Sequence, residues 1–408
     1  MKSNPGLKRR LPSWRTLQQT LSFKKFIWNS RKRRLAKAIT IWDLRKIAKK
    51  RTPIGPFDYT DGAAESEISL DRARELFRRI EFSPRVLRDV SEISLARQVL
   101  GFEAAMPFGL APTGFTRMMH AEGEIAVARA AGKFSIPYAL STVGTTAIEE
   151  VIAHAPNTEN WFQLYMWKDR DASFSLLERA KRLGVKNLIL TVDVPVAGAR
   201  LRDIRNGLTV PPSLTARTII EALPKREWWW NFLTTKPLEF ASMNNWPGTI
   251  AELLDHIFDP TMTFEDLKWI RDNWSGTLTV KGIQNLDDCR RAVAAGAEAI
   301  ILSNHGGRQL DRAPAPLSLV SDAVREFGKD AEVHIDTGIM DGGDIIAAIA
   351  LGARFTYVGR AYLYGLMAGG QSGVERAIEI LQGQMVRTMK LLGVSSLEEL
   401  DKSYVKLP

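Results

Sequence analysis

The residues best suited to chemistry stand at the ends of short apolar runs. Gln163 and Tyr165 close one run, Thr191 and Asp193 a second and Lys281 a third, while Ser303, Asn304, His305 and Arg308 follow a fourth. The last group reads S-N-H-G-G-R. Histidine exchanges its proton nearest neutral pH, arginine carries a permanent charge, and flanking glycines let the backbone approach a bound molecule. The chain has five histidines, and one held in a loop for structural reasons alone would be the ordinary expectation. The strand-end position of His305 and its companion Arg308 favour a functional site instead.

Such residues meet only if the strands lie side by side and point the same way. From Pro107 onward, eight runs read as strands: Phe108–Ala111, Tyr138–Ser141, Trp161–Tyr165, Leu188–Asp193, Leu278–Lys281, Ala299–Ser303, Val333–Asp336 and Phe355–Gly359. Between them Glu122–Ala131, Ser173–Leu183, Leu286–Ala295 and Asp344–Leu351 carry apolar residues at helical spacing, several ending in glycine. Eight strand and helix units predict an α/β chain folded as a TIM (β/α)8 barrel, with its site at the C-terminal ends of the strands. An open doubly wound sheet would show an early G-x-G-x-x-G turn, and none is present. Before the barrel, Thr40–Arg51 reads as an amphipathic helix capped by Thr40. After it, Val374–Leu392 reads as a helix over the barrel exterior.

The spacing fails once. More than eighty residues separate Asp193 from Leu278, against roughly 30 for a βαβ unit. An insertion over about 200–262 therefore follows the fourth strand, and loops of that size are usually functional. It carries Trp228, Trp229 and Trp230, then Phe232 and Leu233, beside Lys225 and Arg226.

Composition bounds the rest. With 408 residues, 45% hydrophobic and 25% charged, the chain falls outside the polar, highly charged regime of disorder. The net charge of +10 is uneven: residues 1–51 hold seventeen Lys and Arg and one acid, Asp43, so they carry +16 and the remainder carries −6. Two parts are expected, a basic N-terminal arm over 1–39 and a barrel over 40–408. Cys289 is the only cysteine, which excludes an intrachain disulfide and a multi-cysteine metal site and fits a cytoplasmic setting. No run approaches the roughly 18 apolar residues of a membrane span. Lys24 and Lys25 also break the only weakly apolar stretch near the start, so no signal peptide is read there. A membrane, if involved, would be touched from its surface.

The segments LAPTGFTRMMHAEGE, WFQLYMWKDRD, LTVDVPVAGARLRDIRNG, VKGI, LSNHGGRQLDRAP and IDTG…YVGR resemble the FMN-dependent α-hydroxy acid dehydrogenase family, in consistent order from about Ile41 to the C-terminus. Within it, VDVPVAGARLRD, DTGIM and GRAYLYGLMAGG look most like the actinobacterial lactate dehydrogenases. The resemblance implies FMN as cofactor and L-lactate oxidised to pyruvate. It implies His305 as the active-site base and Asp193 as the carboxylate that pairs with its imidazolium. Arg308 and Arg200 would hold the substrate carboxylate, and the hydroxyls of Tyr59 and Tyr165 would contact substrate. On the cofactor side, Lys281 would sit near flavin N1 and O2, where negative charge develops. Pro112, Thr113 and Gly114 would lie along the ring system, Ser141, Gln163 and Thr191 at its edge, and Gly338, Gly359 and Arg360 at the phosphate, with Ser303 and Asp336 also among the cofactor-binding residues.

One position departs from the family. Many members read D-G-G-x-R in the phosphate loop, whereas here Asp336-Thr337-Gly338-Ile339-Met340 puts methionine where that arginine stands. FMN binding is still expected, through Arg360 and loop amides. The arm leaves no room for a haem domain, so oxygen or a quinone would take the electrons. The tryptophan-bearing insertion and the cationic arm favour a quinone reached at the membrane surface. Burial of Trp228–Trp230 between subunits is the alternative, since members are commonly homotetramers. An oxygen-using oxidase is the rival enzyme. A nucleic-acid-binding barrel using Arg31-Lys32-Arg33-Arg34 is the rival of another class, although no recognised nucleic-acid motif follows that run.

Overall fold

The computed structural model describes residues 11, 13–21, 27–207, 223–238, 241 and 258–407. Lys24, Lys25 and much of the insertion read over about 200–262 lie outside the described residues. Eight parallel strands close into a barrel in chain order. They are β1 (Phe108–Leu110), β2 (Tyr138–Ser141), β3 (Asn160–Leu164), β4 (Asn187–Thr191), β5 (Thr277–Ile283), β6 (Ala299–Leu302), β7 (Glu332–Ile335) and β8 (Phe355–Val358). Leu110 of β1 pairs with Tyr138 of β2, and Thr356 of β8 with Phe108 of β1, which completes the circuit.

Alternation along each strand divides the core in two. Ile189 of β4 joins Ala139, Trp161, Ile301, Phe355 and Tyr357 in an inner cluster, whereas Leu188 and Leu190 join the outer core against the helices. Val99 and Ala104, from the hairpin Arg97–Val99/Phe102–Ala104, complete the inner cluster. The Glu332 carboxylate, at the start of β7, accepts the Leu100 amide at 3.1 Å. The hairpin thus plugs the N-terminal end and leaves the C-terminal end for a ligand.

Helices α1 (Trp14–Thr20), α2 (Ser30–Leu35), α3 (Ile41–Arg51), α4 (Ile54–Asp61) and α5 (Ile68–Arg78) precede the barrel. In α3 the Thr40 hydroxyl caps the helix and Asp43 returns the bond, a reciprocal box that sets the start where the sequence reading puts it. Its buried Ile41, Leu44 and Ala48 pack on the long closing helix, to which Arg34 also donates at the Ala368 carbonyl, 3.1 Å. The end of the basic arm is therefore docked, with Leu35 and Ala38 buried. Helix α6 (Arg226–Thr234) stands in the insertion, α7 (Gly342–Ala350) follows β7, and α8 (Arg360–Leu392) follows β8.

Several strands end one or two residues before the sequence reading places their ends. Tyr165, Asp193, Ser303, Asp336 and Gly359 consequently lie in loops. There, side-chain bonds join the last backbone bonds of the ladder: the Ser303 amide still donates to the Ile283 carbonyl at 3.1 Å, while its hydroxyl accepts the His305 amide at 3.0 Å. The ends of the strands are where the barrel stops being repetitive.

Candidate functional site

A cavity of about 400 Å³ opens at the C-terminal ends of the strands. Its sharpest turn follows β6, where His305, Gly306 and Gly307 all take left-handed backbone angles, φ 58°, 67° and 75°. A left-handed histidine is uncommon and persists only where its surroundings hold it. They do so here: the Asn304 side chain accepts the Gly307 amide at 3.0 Å and donates to the Pro314 carbonyl at 3.1 Å. The Thr337 hydroxyl accepts the Gly306 amide at 3.1 Å.

This turn sets the imidazole on edge. Nδ1 of His305 meets Oδ1 of Asp193 at 3.0 Å, and Nε2 lies 3.5 Å from the Tyr165 hydroxyl. Asp193 is only 3% exposed in its side chain, against 22% for His305, so the carboxylate stands behind the ring and the ring faces the cavity. Room for the carboxylate comes from Gly282 at a bulge in β5, where φ is 110° and a Cβ would fall 2.6 Å from the Asp193 carboxyl carbon. Burial works against the charged carboxylate, but His305 and Lys281 outweigh it and hold its pKa below the usual value. Asp193 is an anion at neutral pH.

Lys281 is buried, bonding the Asp336 carboxylate and the Ser303 hydroxyl, each at 3.0 Å. Burial opposes its charge, yet Asp336 and Asp193 raise its pKa above the ordinary lysine value. The cavity therefore has a fixed ammonium in its wall. Behind it runs a hydrogen-bonded chain: the Ser141 hydroxyl donates to the Gln163 carbonyl oxygen at 2.8 Å, and the Gln163 amide to the Thr191 hydroxyl at 3.0 Å. Ser141, Gln163, Thr191 and Ser303 are buried in the rim and do not line the cavity, in contrast to the other residues expected to hold a cofactor.

Two arginines face one tyrosine. The guanidinium carbons of Arg308 and Arg200 stand 4.6 and 5.2 Å from the Tyr59 ring centroid, and Arg308 also donates to the Tyr59 carbonyl. Tyr59 packs edge-on against Phe115, and Tyr165 edge-on against Phe258, each pair at 5.8 Å. Gln309 ties the segment after β4 to the His305 turn through the Asp193 and Val196 carbonyls, at 3.2 and 2.9 Å. Arg200 is thereby placed, with Asp203 accepting its Nε at 2.8 Å. Burial, Arg200 and Arg360 press the Arg308 pKa down to about 10, which still leaves it cationic at neutral pH.

Pro112, Thr113, Gly114, Lys281, Asp336, Gly338, Gly359 and Arg360 all line the same cavity. So do Trp42, Arg45, Arg74, Arg78 and Met340, of which the sequence reading singled out only Met340. Arg360 donates to the carbonyls of Thr60, Gly306 and Gly62 at 2.9, 2.9 and 2.7 Å, which makes it a strut between α4 and the His305 turn. Arg74 keeps one buried atom, Nε, without a partner among the described residues.

The donor set fits FMN. Pockets for cofactors span roughly 300–1,000 Å³ and combine apolar walls with a few polar groups. This one offers the flat backbone of Pro112–Gly114, an ammonium at Lys281, and an arginine-rich stretch with an unpartnered guanidinium nitrogen for a phosphate. Arg308, Arg200, Tyr59 and Tyr165 remain for a second, smaller anion.

Comparison with known proteins finds matches among flavin-dependent dehydrogenases. The FMN-dependent dehydrogenase family profile matches residues 48–407. A Mycobacterium tuberculosis protein named "Putative L-lactate dehydrogenase" is 57% identical over 400 residues, covering 98% of this chain and 97% of that protein. An L-lactate dehydrogenase of Vibrio cholerae is 40% identical over 372 residues, 88% of this chain and 97% of that one. Among solved structures, the monotopic membrane protein (S)-mandelate dehydrogenase superposes with a TM-score of 0.88 at 35% identity, covering 91% of this chain and 100% of that one. A double mutant of flavocytochrome b2 with pyruvate bound superposes with a TM-score of 0.79 at 28% identity, over 93% and 90% of the two chains.

Proposed function

The chain belongs to the FMN-dependent dehydrogenase family, and from that premise we propose that it oxidises L-lactate to pyruvate and hands the electrons to a quinone. The observation that carries this is the His305–Asp193 pair, whose imidazole faces a cavity that also presents Arg308, Arg200, Tyr59 and Tyr165. Arg308 grips the substrate carboxylate by its planar fork, with Arg200 as the second cation. Nε2 of His305 takes the proton, and Asp193 balances the imidazolium that results. FMN, when bound, supplies a two-electron acceptor, and Lys281 provides positive charge beside it. Loss of two electrons and two protons turns the 2-hydroxy acid into the 2-keto acid.

Val143, Val194 and Phe258 add apolar wall to the cavity, which suits an apolar substituent such as the lactate methyl. Anaerobic bleaching of the flavin with L-lactate, D-lactate, glycolate and L-mandelate tests the assignment. The L-lactate reaction is expected to be fastest and the D-lactate reaction absent. Reoxidation by a soluble quinone analogue is expected to outpace reoxidation by oxygen by at least about tenfold. Equal or faster reoxidation by oxygen would make the protein an oxidase.

The quinone reading rests on the surface around α6. Trp228 is anchored inward, with its indole N–H donating to the Met118 carbonyl at 2.9 Å and its ring stacked on Phe232 at 5.0 Å. Trp230 and Leu233 on the same helix are 71% and 69% exposed. The arm joins this surface, because Arg31 reaches Glu227 at 3.3 Å, and α3 joins it as well, with Lys225 donating to the Lys50 carbonyl at 2.7 Å. Among the described residues no helix is long and apolar enough to cross a membrane. Exposed aromatic and apolar side chains beside clustered cations suit the headgroup layer of an anionic bilayer, from its cytoplasmic face. Converting Trp230 and Leu233 together to serine should lower sedimentation with anionic vesicles at least about tenfold, given roughly 1.5–3 kcal/mol per buried large side chain, and leave turnover with a soluble acceptor unchanged. Unaltered sedimentation would place this face elsewhere, for instance between subunits of the homotetramer common in the family.

A further inference from the structure

Besides Arg308 and Arg200, five arginines line the cavity: Arg45, Arg74, Arg78, Arg202 and Arg360. Four of them already hold partners. Arg45 forks onto Asp61 at 2.5 and 2.8 Å, and Arg202 bonds Glu67 and reaches Asp61 at 3.1 Å. Arg74 is paired with Asp344 at 2.6 Å and also donates to the Gly338 carbonyl. Arg360 gives three nitrogens to backbone carbonyls. Arg78 has no hydrogen bond among the described residues. Its nearest carboxylate is Glu75 at 3.8 Å, one turn back on the same helix and itself 59% exposed in its side chain.

The loop after β7 cannot supply the missing charge. Met340 is apolar, and its amide is already given to Asp344 at 2.8 Å, as is that of Asp341 at 3.2 Å. The Gly342 amide goes to the Gln384 side chain at 2.9 Å. Meanwhile α5 lies directly on this loop: a Cβ at Gly338 would sit 3.2 Å from the Phe77 ring and 3.3 Å from the Ala73 methyl. Arg74 and Arg78 are four residues apart on α5 and so share the face turned to the cavity wall. A phosphate at this wall meets two cations with no close carboxylate among the described residues, Arg360, which is tied to backbone carbonyls, and Arg78, which is free to turn.

We propose that Arg78 clamps the FMN phosphate from α5, in place of the arginine that many family members carry at the position of Met340. The inference rests on the FMN reading above. The phosphate would draw in a side chain that is 61% exposed and would complete one charge-assisted pair across the cavity mouth, closing helix α5 over the cofactor. Cofactor retention would then depend on a helix outside the barrel, and on ionic strength.

Serial dilution of the holoenzyme, with released flavin read by its fluorescence, gives the dissociation constant for FMN. Exchange with excess riboflavin, which lacks the phosphate, gives the control. Arg78→Ala is expected to weaken FMN about tenfold or more and to leave riboflavin unchanged. Adding Met340→Arg to that variant should restore FMN retention. Because Arg78 is exposed, loss of the fold is not the expected cost of its removal; circular dichroism melting checks this. Unchanged FMN affinity in Arg78→Ala, or equal weakening of FMN and riboflavin, overturns the clamp while leaving the enzyme assignment standing. Failure of the unaltered protein to hold either flavin overturns both.

Discussion

Replacing His305 with glutamine is expected to reduce the rate of flavin bleaching by L-lactate at least about 10³-fold while the protein keeps its flavin and its fold. Glutamine can donate to Asp193 from its amide, so the buried carboxylate, 3.0 Å from Nδ1 in the native protein, is not stranded without a donor. The substitution leaves the left-handed turn with a side chain of similar reach, so the backbone cost at φ 58° is nearly the same before and after. What glutamine cannot do is accept the substrate proton at the atom that faces the cavity. Stopped-flow bleaching under anaerobic conditions measures the loss, and the flavin absorption spectrum with a thermal melt shows whether anything else has changed. Bleaching within tenfold of the native rate would remove His305 from the role of base. The same result would reopen the reading in which the barrel serves a binding function, because among the described residues no other imidazole lines the cavity.

The barrel was legible because its strands are repetitive. Leu188, Ile189 and Leu190 are buried on alternating faces, one towards the inner cluster and two towards the helices, and a strand buried on both sides reads as an unbroken apolar run. His305, Arg308, Asp193 and Lys281 were legible for a related reason: each interrupts or follows such a run where the barrel geometry gathers polar groups. Tyr59 was not legible from pattern alone. It lies in a short helix outside the repeat, and only the family resemblance marked it. Arg74 and Arg78 were missed entirely. They read as the polar face of an ordinary amphipathic helix, and what brings them to the cavity is the packing of Phe77 and Ala73 on Gly338, some 260 residues away in sequence. Long-range packing of that kind leaves no local signal. Ser141, Gln163 and Thr191 stand at the rim where their strand-end positions put them, joined to one another by hydrogen bonds.

Asp193→Asn carries the second large effect, and it separates charge from shape. The amide is isosteric with the carboxylate, so Gly282, whose missing Cβ makes room 2.6 Å from the carboxyl carbon, still accommodates it. Two things change. The imidazolium formed after proton transfer loses its counter-charge in a site where the partner is 3% exposed and screening by water is weak. An amide N–H directed at Nδ1 would also make that nitrogen the acceptor, which puts the ring proton on Nε2, the atom that must receive a proton from substrate. Turnover is therefore expected to fall about 10³ to 10⁴-fold, a loss of the size seen when a buried carboxylate behind a catalytic histidine becomes an amide. Stability should respond in a defined direction as well. The folded carboxylate titrates below its unfolded value, so its contribution is present above about pH 3.9 and is lost as pH falls through the folded pKa. Asp193→Asn should accordingly lower the melting temperature at pH 7, and the gap to the native protein should close as the pH is taken below about 3.9. Calorimetry across that range, alongside stopped-flow bleaching at pH 7, checks both. A variant that keeps a tenth of native turnover would show that Asp193 neither sets the tautomer of His305 nor balances its charge.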